Sequence, residues 1–256
     1  MGNWQKGFTI IEVVLVITIS GLMAAGIMIG VSSSINRQQY RDSVQSFAAF
    51  LRSEYSKVIN VENNREKIDG TACSMLGAAN ASRGQSDCVI VGRYIQTEGD
   101  VNNNYGKSYA SYAVYARKVG GDWKYARTNG KGVNKNDITK YDMDWSAKSK
   151  FSNMANNKAN IAILMYRDPD NGNIIIRTNA GRYHEGVGSV GMTDFVKGNT
   201  EAGHSGDIQF SGREICVYDD KWMVGERLSV FLNSRSGSSS AITVEPSGDD
   251  CNKVGV

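Results

Sequence analysis

The most constraining feature of this sequence is an apolar run over residues 8–31, close to the N-terminus. A helix of this length would extend for about 36 Å at about 1.5 Å per residue. The hydrocarbon core of a bilayer is about 30 Å thick. The run therefore predicts a membrane-spanning helix. Only four of its side chains are polar, namely Thr9, Glu12, Thr18 and Ser20.

Glu12 is the unusual residue of this run. An ionised carboxylate in hydrocarbon costs about 2.5 kcal/mol or more, so it needs a partner or a path to water. Two other interpretations of the run stay open, a cleavable secretory signal peptide and a simple signal anchor. Glu12 suits the apolar segment of neither. The run also continues past Ala24 and Ala25, the small residues where a signal peptide would be cut.

The residues around Gly7 carry a resemblance to a known family. Lys6 and Gly7 are followed by Phe-Thr-Ile-Ile-Glu and a long apolar run. This pattern resembles the leader junction of type IV prepilins and of the pseudopilins of type II secretion, and the resemblance covers residues 5–31. In that family a membrane peptidase cuts after the glycine. The new N-terminal phenylalanine is then methylated, and the glutamate five residues into the mature chain guides assembly.

Carried over to this chain, the resemblance places the cut between Gly7 and Phe8, N-methylation on Phe8, and the assembly carboxylate on Glu12. Residues 1–7 would be the leader peptide and residues 8–31 the transmembrane half of the helix. Family members often have a helix-breaking proline in this segment, and this chain has none. Its glycines include the small-xxx-small pair Gly26 and Gly30, which lets helices approach closely.

The resemblance also implies a function, partners and a location. It implies a non-enzymatic structural subunit, either a pilin, a minor pilin or a pseudopilin, of a type IV pilus (fimbrium) or of a filament for protein secretion. Its partners would be other pilin subunits, prepilin peptidase and the membrane protein of the assembly platform. The precursor would cross the cytoplasmic membrane once, with its head outside, and then join a cell-surface or periplasmic filament. The alternative is a filament-tip binding module for DNA uptake or surface adhesion.

Residues 32–60 predict a continuation of the same helix. Apolar residues recur there at intervals of three or four, which is the period of an amphipathic helix. They are Val44, Phe47, Leu51, Tyr55 and Val58. We therefore expect one helix of about 50 residues whose amphipathic half, residues 32–60, packs on a head domain.

Residues 61–256 predict an extracytoplasmic head rich in β-strands. Short apolar runs alternate with segments rich in glycine, asparagine and serine. Strands are expected at 88–95, 109–119, 123–127, 160–167, 173–178, 207–210, 213–218, 227–232 and 241–244. Residues 131–158 are expected to be irregular, and residues 179–206 form a long glycine-rich stretch. The expected fold class is α+β, a long N-terminal helix packed on a mostly antiparallel sheet, as in pilins.

The four cysteines all follow the apolar run, which suits two disulfides in an oxidising compartment. Three connectivities are open. The pairs Cys73–Cys88 and Cys216–Cys251 are favoured because each closes a local loop. Pilin-like proteins often close a C-terminal loop as the second pair would.

No catalytic motif stands out, and neither a cofactor nor a metal site is expected. His184-Glu185 lacks the second histidine of a zinc protease. The segment 168–172 is interpreted as a plain turn and not a calcium loop. The net charge of +3 is small for a chain of this length and gives no reason to expect a nucleic-acid partner. A basic stretch with interleaved aromatic residues nevertheless suggests DNA contacts. The candidates are Lys118, Lys124, Arg127, Lys131 and Lys135, and the competing interpretation is a solvated basic face.

Overall fold

A computed structural model describes residues 8–60, 73, 76–77, 87–98, 106–127, 138–152, 161–180, 189–197, 208–209, 213–219, 227–233, 238–248 and 251. The helices are α1 (Ile10–Ile59) and α2 (Ser189–Lys197). The strands are β1 (Cys88–Glu98), β2 (Ser108–Val119), β3 (Asp122–Arg127), β4 (Ile138–Asp142), β5 (Ala147–Phe151), β6 (Ile161–Arg167), β7 (Ile174–Ala180), β8 (Ile208–Gln209), β9 (Arg213–Asp219), β10 (Leu228–Leu232) and β11 (Ile242–Pro246).

Helix α1 is one unbroken helix of 50 residues with a defined residue at each end. Thr9 is the N-cap, and its hydroxyl accepts a hydrogen bond from the Glu12 amide. At the other end, the Arg167 guanidinium donates to the Ile59 carbonyl at 3.2 Å. That carbonyl has no partner within the helix, so the bond from Arg167 satisfies it and attaches the helix end to the head.

Seven strands form an antiparallel sheet, called here the large sheet, in the order β3-β2-β1-β6-β7-β8. Strand β4 pairs with the same edge of β2 as β3 does, but at the opposite end of β2. The β1–β2 register shifts between Ile90 and Gly92. Gly92 has no side chain at a close approach, where a Cβ atom would lie 2.3 Å from the Met165 carbonyl oxygen.

Four strands form the small sheet, in the order β11-β10-β9-β5 and again antiparallel. Helix α1 packs against both sheets, and its apolar stripe shares one core with residues such as Ile95, Ile163 and Val230. The opposite face of the large sheet packs against α2 in a second core that includes Tyr94 and Phe195. The large sheet is thus covered on both faces.

The expected α+β class is confirmed, and every predicted strand coincides with one in the structure apart from differences at the ends. The structure adds β4 and β5 within the segment expected to be irregular, and α2 within the glycine-rich stretch. Strands β4 and β5 are rich in polar residues, so their apolar pattern is weak. Glycines around α2 hide the helical spacing of Met192, Phe195 and Val196.

Two disulfides are present, Cys73–Cys88 and Cys216–Cys251, and these are the two local pairings favoured from the sequence. The first holds the chain that follows α1 against the start of β1. The second holds Cys251 of the C-terminal tail against β9. The Arg227 guanidinium also donates to the Cys251 carbonyl at 3.1 Å, which gives the tail a second attachment.

Candidate functional site

The candidate site is the exposed N-terminal part of α1. Every side chain whose exposure the structure describes between Phe8 and Ile35 is exposed. From Tyr40 onward, one face of the helix is buried in the head. Within the described part of the chain, α1 is also the one helix long and apolar enough to cross a membrane. So large an apolar surface on one helix must be covered by lipid or by protein.

Glu12 lies in the first turn of α1, where its carboxylate is directed back toward the start of the helix. The Thr9 hydroxyl donates to the Glu12 carboxylate at 3.4 Å, and the Glu12 amide donates to the Thr9 hydroxyl at 3.3 Å. This is a variant of the capping box, and a negative charge is favourable at a helix N-terminus. The contact holds the carboxylate against Thr9, the residue that follows Phe8 in the sequence.

Thr18 shows why Glu12 differs from the other polar side chains of the run. The Thr18 hydroxyl donates to the carbonyls of Val14 and Leu15, at 3.0 and 2.9 Å, so the helix itself satisfies it. A carboxylate cannot be satisfied in this way, because it carries a charge and only accepts hydrogen bonds. Within the described chain, Thr9 is its one side-chain partner, and the charge has no cation beside it.

At the glycines of α1, the helix backbone is accessible to another helix. A Cβ atom added at Gly21, Gly26 or Gly30 would meet nothing within 4 Å. Beside Gly26 and Gly30, a shallow groove is lined by Ile27, Met28, Val31, Ser32, Ile35 and Asn36. The surface available to another helix is therefore both apolar and closely approachable.

The attachment of α1 to the head includes a buried ionic cluster centred on Glu54. The Glu54 carboxylate accepts from Lys57 at 2.6 Å, from Arg93 at 2.8 Å and from the Ser111 hydroxyl at 2.5 Å. Burial by itself would raise the pKa of Glu54, but the Arg93 charge and the bonds from Lys57 and Ser111 outweigh burial and hold that pKa below its usual value. The carboxylate is thus ionised inside the core.

Sequence reasoning missed this cluster, because Glu54 appeared to lie on the polar face between the apolar positions. One signal was available. Glu54 is seven residues after Phe47 and three after Leu51, which places it on the buried side of a helix. Tyr40 provides a second attachment, where its hydroxyl accepts from the Leu228 amide at 2.8 Å and lies 3.0 Å from the Val217 carbonyl oxygen, to which it can donate.

The structure brings together only part of the candidate DNA-binding set. Lys118 and Lys124 lie at the exposed end of the β2–β3 hairpin, where Lys118 lies over the Trp123 ring. Arg127 is buried, with its guanidinium 5.2 Å from the ring centre of Tyr94 and 4.6 Å from that of Tyr112. Arg127 therefore belongs to the core and not to a DNA-binding surface. Lys131 and Lys135 lie outside the described residues.

The turn between β6 and β7 uses its polar side chains internally. The Asp168 carboxylate accepts from the Asp170 amide at 2.9 Å and from the Asn171 side chain at 2.8 Å. Asp170 in turn accepts from the Trp123 indole at 2.7 Å. Across the described ranges, no group of three potential metal ligands is present. His184 and His204 lie outside those ranges, as do residues 1–7, which were predicted to be a leader peptide.

Comparison with known proteins identifies one segment. Residues 5–28 match the family described as the prokaryotic N-terminal methylation motif. The match includes Gly7, Phe8 and Glu12 and ends within the exposed half of α1. Neither a curated protein nor a solved structure matches the chain.

Proposed function

We propose that this chain, whose residues 5–28 match the prokaryotic N-terminal methylation motif, is a structural subunit of a type IV pilus or of a type II secretion-like filament. Prepilin peptidase cuts between Gly7 and Phe8, Phe8 is N-methylated, and α1 joins the subunit to other pilin subunits. The observation that carries the proposal is the division of α1, one half exposed and apolar and the other half built into the head.

Glu12 provides the specific contact in this mechanism. Cleavage creates a charged amine on Phe8, four residues before Glu12 on the same chain. In a bundle of parallel helices, the amine of one subunit pairs with the Glu12 carboxylate of its neighbour. The pair neutralises a carboxylate in an apolar setting, where an unpaired charge is costly. It also sets the displacement between neighbours at about four residues, or about 6 Å along the helix axis.

The exposed half of α1 is equally compatible with lipid and with a bundle of like helices. Lipid chains and leucine-like side chains are similarly apolar, so transfer from one to the other changes the hydrophobic free energy little. The unassembled precursor is therefore stable in the cytoplasmic membrane, with its head outside the cytoplasm. The assembly platform and its ATPase supply the work that extracts the helix. The similar stability of the helix in lipid and in a bundle supports a subunit that is first inserted into the membrane and then polymerised.

A Glu12→Ala substitution tests the proposal in cells that contain the processing and assembly machinery. We expect the leader to be removed after Gly7 as in the wild type, which mass spectrometry of the N-terminus measures. We expect the yield of sheared filaments to fall about tenfold or more, since about 1.4 kcal/mol of lost contact energy changes an equilibrium tenfold. Glu12→Gln should behave like Glu12→Ala, because the amide has no charge for the amine.

Thr9→Ala is the matched control. It removes the side-chain contact of Glu12 within its own chain but leaves the carboxylate in place. If the role of Glu12 were only to cap the helix, Thr9→Ala would reduce filaments as strongly as Glu12→Ala. Normal filaments from Glu12→Ala subunits would contradict the proposal directly.

A further inference from the structure

We infer that a second copy of this chain docks through Arg37 and Arg41 of its α1 onto a patch formed by Trp145 and Asp144 at the base of the head. This inference rests on the proposed function and adds a second, head-level contact to it. We call Asp144 and Trp145 the Trp145 patch. Arg37 and Arg41 form the basic segment of α1.

The Trp145 patch is built in an unusual way. Trp145 has φ 57° and ψ 31°, and Ser146 has φ 63°, a left-handed backbone that residues other than glycine rarely adopt. About half of the Trp145 side chain is exposed, at 51%. Strained backbone of this kind clusters at functional sites, and tryptophan is enriched among the residues that carry most of the binding energy of interfaces.

The position of the patch along α1 is defined by a hydrogen bond. The Ser43 hydroxyl donates to the Asp144 carbonyl at 3.1 Å, which places the patch at the level of Ser43. Ser43 lies 12 residues after Val31, about 18 Å beyond the end of the apolar run. The interfacial region of a bilayer extends only about 5–8 Å beyond its core on each side. Lipid headgroups therefore do not reach the patch, so its occupant is protein.

The charges of the two surfaces are complementary. Asp144 is exposed, with Asp42 and Asp142 also exposed nearby in sequence and structure. Arg37 and Arg41 are exposed too, and within the described residues none of these five side chains forms a hydrogen bond or an ion pair. An arginine of a second copy can stack on the Trp145 ring and pair with the Asp144 carboxylate in one contact.

The two surfaces lie on opposite sides of one subunit. Successive helix residues turn by about 100°, so Arg37 and Arg41 lie about 120° and about 160° round α1 from Ser43. They cannot reach the patch of their own chain. Surfaces that are complementary but placed on different sides of a subunit make head-to-tail contacts, and these generate open helical filaments when the rotation between subunits does not close a ring.

The displacement along the axis agrees with the proposed Glu12 contact. A neighbour whose Phe8 amine lies level with Glu12 is shifted by four residues toward the head. The same shift puts the neighbour's Arg37 and Arg41 level with residues 41 and 45, on either side of Ser43. One displacement of about 6 Å therefore satisfies both contacts.

Photo-crosslinking of the full chain in assembling cells tests the inference. Trp145 is replaced by p-benzoyl-phenylalanine, and the crosslinked peptides of sheared filaments are identified by mass spectrometry. We expect crosslinks to residues 35–44 of a second copy. In parallel, Arg41→Asp and Asp144→Arg should each lower filament yield about tenfold. The double variant should recover at least half of the wild-type yield.

Asp122→Arg is the matched control, because Asp122 is exposed on the β2–β3 hairpin and belongs to neither surface. It should leave the yield unchanged, and all variants should keep the wild-type melting temperature. Crosslinks to another segment or another protein, or failure of the double variant to recover, would overturn the inference. If Glu12→Ala still abolished filaments in that case, the proposed function would stand. An absence of Glu12-dependent filaments would overturn both.

Discussion

At the scale of single residues, two glutamates of α1 meet opposite environments. Glu54 is fully buried, yet it has two cations and a hydroxyl around it, all supplied by its own chain. Glu12 is exposed and contacts only Thr9 among the described side chains. The chain thus satisfies one carboxylate by itself. For the Glu12 carboxylate, we propose that the partner comes from a neighbouring subunit.

Glu54→Gln should destabilise the head by about 3–5 kcal/mol, because it leaves the buried Arg93 without its counter-charge. Urea unfolding of the full chain in detergent measures the effect. Since the folded pKa of Glu54 lies below its usual value, its contribution is complete above the unfolded pKa of about 4.3. This contribution to stability is lost as the pH falls through the pKa that Glu54 has in the folded state.

The stability difference between wild type and Glu54→Gln should therefore shrink below about pH 4. Glu245→Gln is the control, because Glu245 is exposed and, among the described residues, its carboxylate accepts only from the nearby Thr243 hydroxyl. That change should stay within about 0.5 kcal/mol. Equal effects from the two substitutions would show that the Glu54 cluster adds nothing specific.

Gly106 joins the two sheets at a position where no side chain fits. It has φ +67°, and a Cβ atom would lie 2.0 Å from the Ser149 carbonyl oxygen of β5. Its own carbonyl accepts from the Ser149 amide at 3.0 Å. Gly106→Ala should therefore lower the free energy of unfolding by more than the ~1–2 kcal/mol that a left-handed alanine costs by itself.

Gly120→Ala separates these two effects. Gly120 has φ +62° but nothing within 4 Å of the added Cβ atom. This control should lower the free energy of unfolding only by the cost of a left-handed alanine, about 1–2 kcal/mol. If Gly106→Ala were no worse than Gly120→Ala in calorimetry, the contact with Ser149 would not constrain the fold.

At the scale of elements, α2 closes an edge of the large sheet. Strand β3 is an edge strand, and an unpaired edge invites pairing with another chain. The Tyr125 amide of β3 donates to the Thr193 hydroxyl of α2 at 3.0 Å. Met192, Phe195 and Val196 pack α2 against the same sheet, so the helix covers both the edge and the adjacent face.

Thr193→Val should cost about 1–3 kcal/mol, because it keeps the shape of the side chain but leaves the Tyr125 amide without its partner. Hydrogen exchange should show faster opening at Tyr125. Thr243→Val is the control, since the one partner of the Thr243 hydroxyl within the described part of the chain is the exposed Glu245 carboxylate. Unchanged exchange at Tyr125 in Thr193→Val would mean that packing alone protects the edge.

At the scale of the whole molecule, α1 belongs to two environments. Described side chains up to Ile35 make no buried contact with the head, and Tyr40 is the first that is buried. A chain beginning at Asn36 should therefore be a soluble monomer with nearly the melting temperature of the full chain. Sedimentation and calorimetry measure the two properties.

A chain beginning at Asp42 is the matched comparison. It loses Tyr40 and its hydrogen bonds to β9 and β10, and it should be less stable by several kcal/mol. Equal stability of the two truncated chains would show that the head begins later along the helix than Tyr40. Unfolding of the chain that begins at Asn36 would show that the exposed half of α1 supports the head.

The sequence by itself determined the features that depend on local pattern. The apolar run, the glutamate within it and the spacing of Val44, Phe47 and Leu51 define α1 and its two halves, because helix burial follows from position along one chain. The hairpin around Pro169 follows for the same reason, since its two strands are close in sequence, and the same closeness favoured the local disulfides without excluding the other two connectivities.

Only the tertiary structure decided which polar residues are buried. Glu54, Arg127 and Lys150 are charged side chains inside the head, and their neighbours come from distant segments. Strand β4 exists because it pairs with β2, and β5 because it pairs with β9. A charged or weakly patterned segment is stabilised by the surface that covers it, and that surface is assembled only when the chain folds.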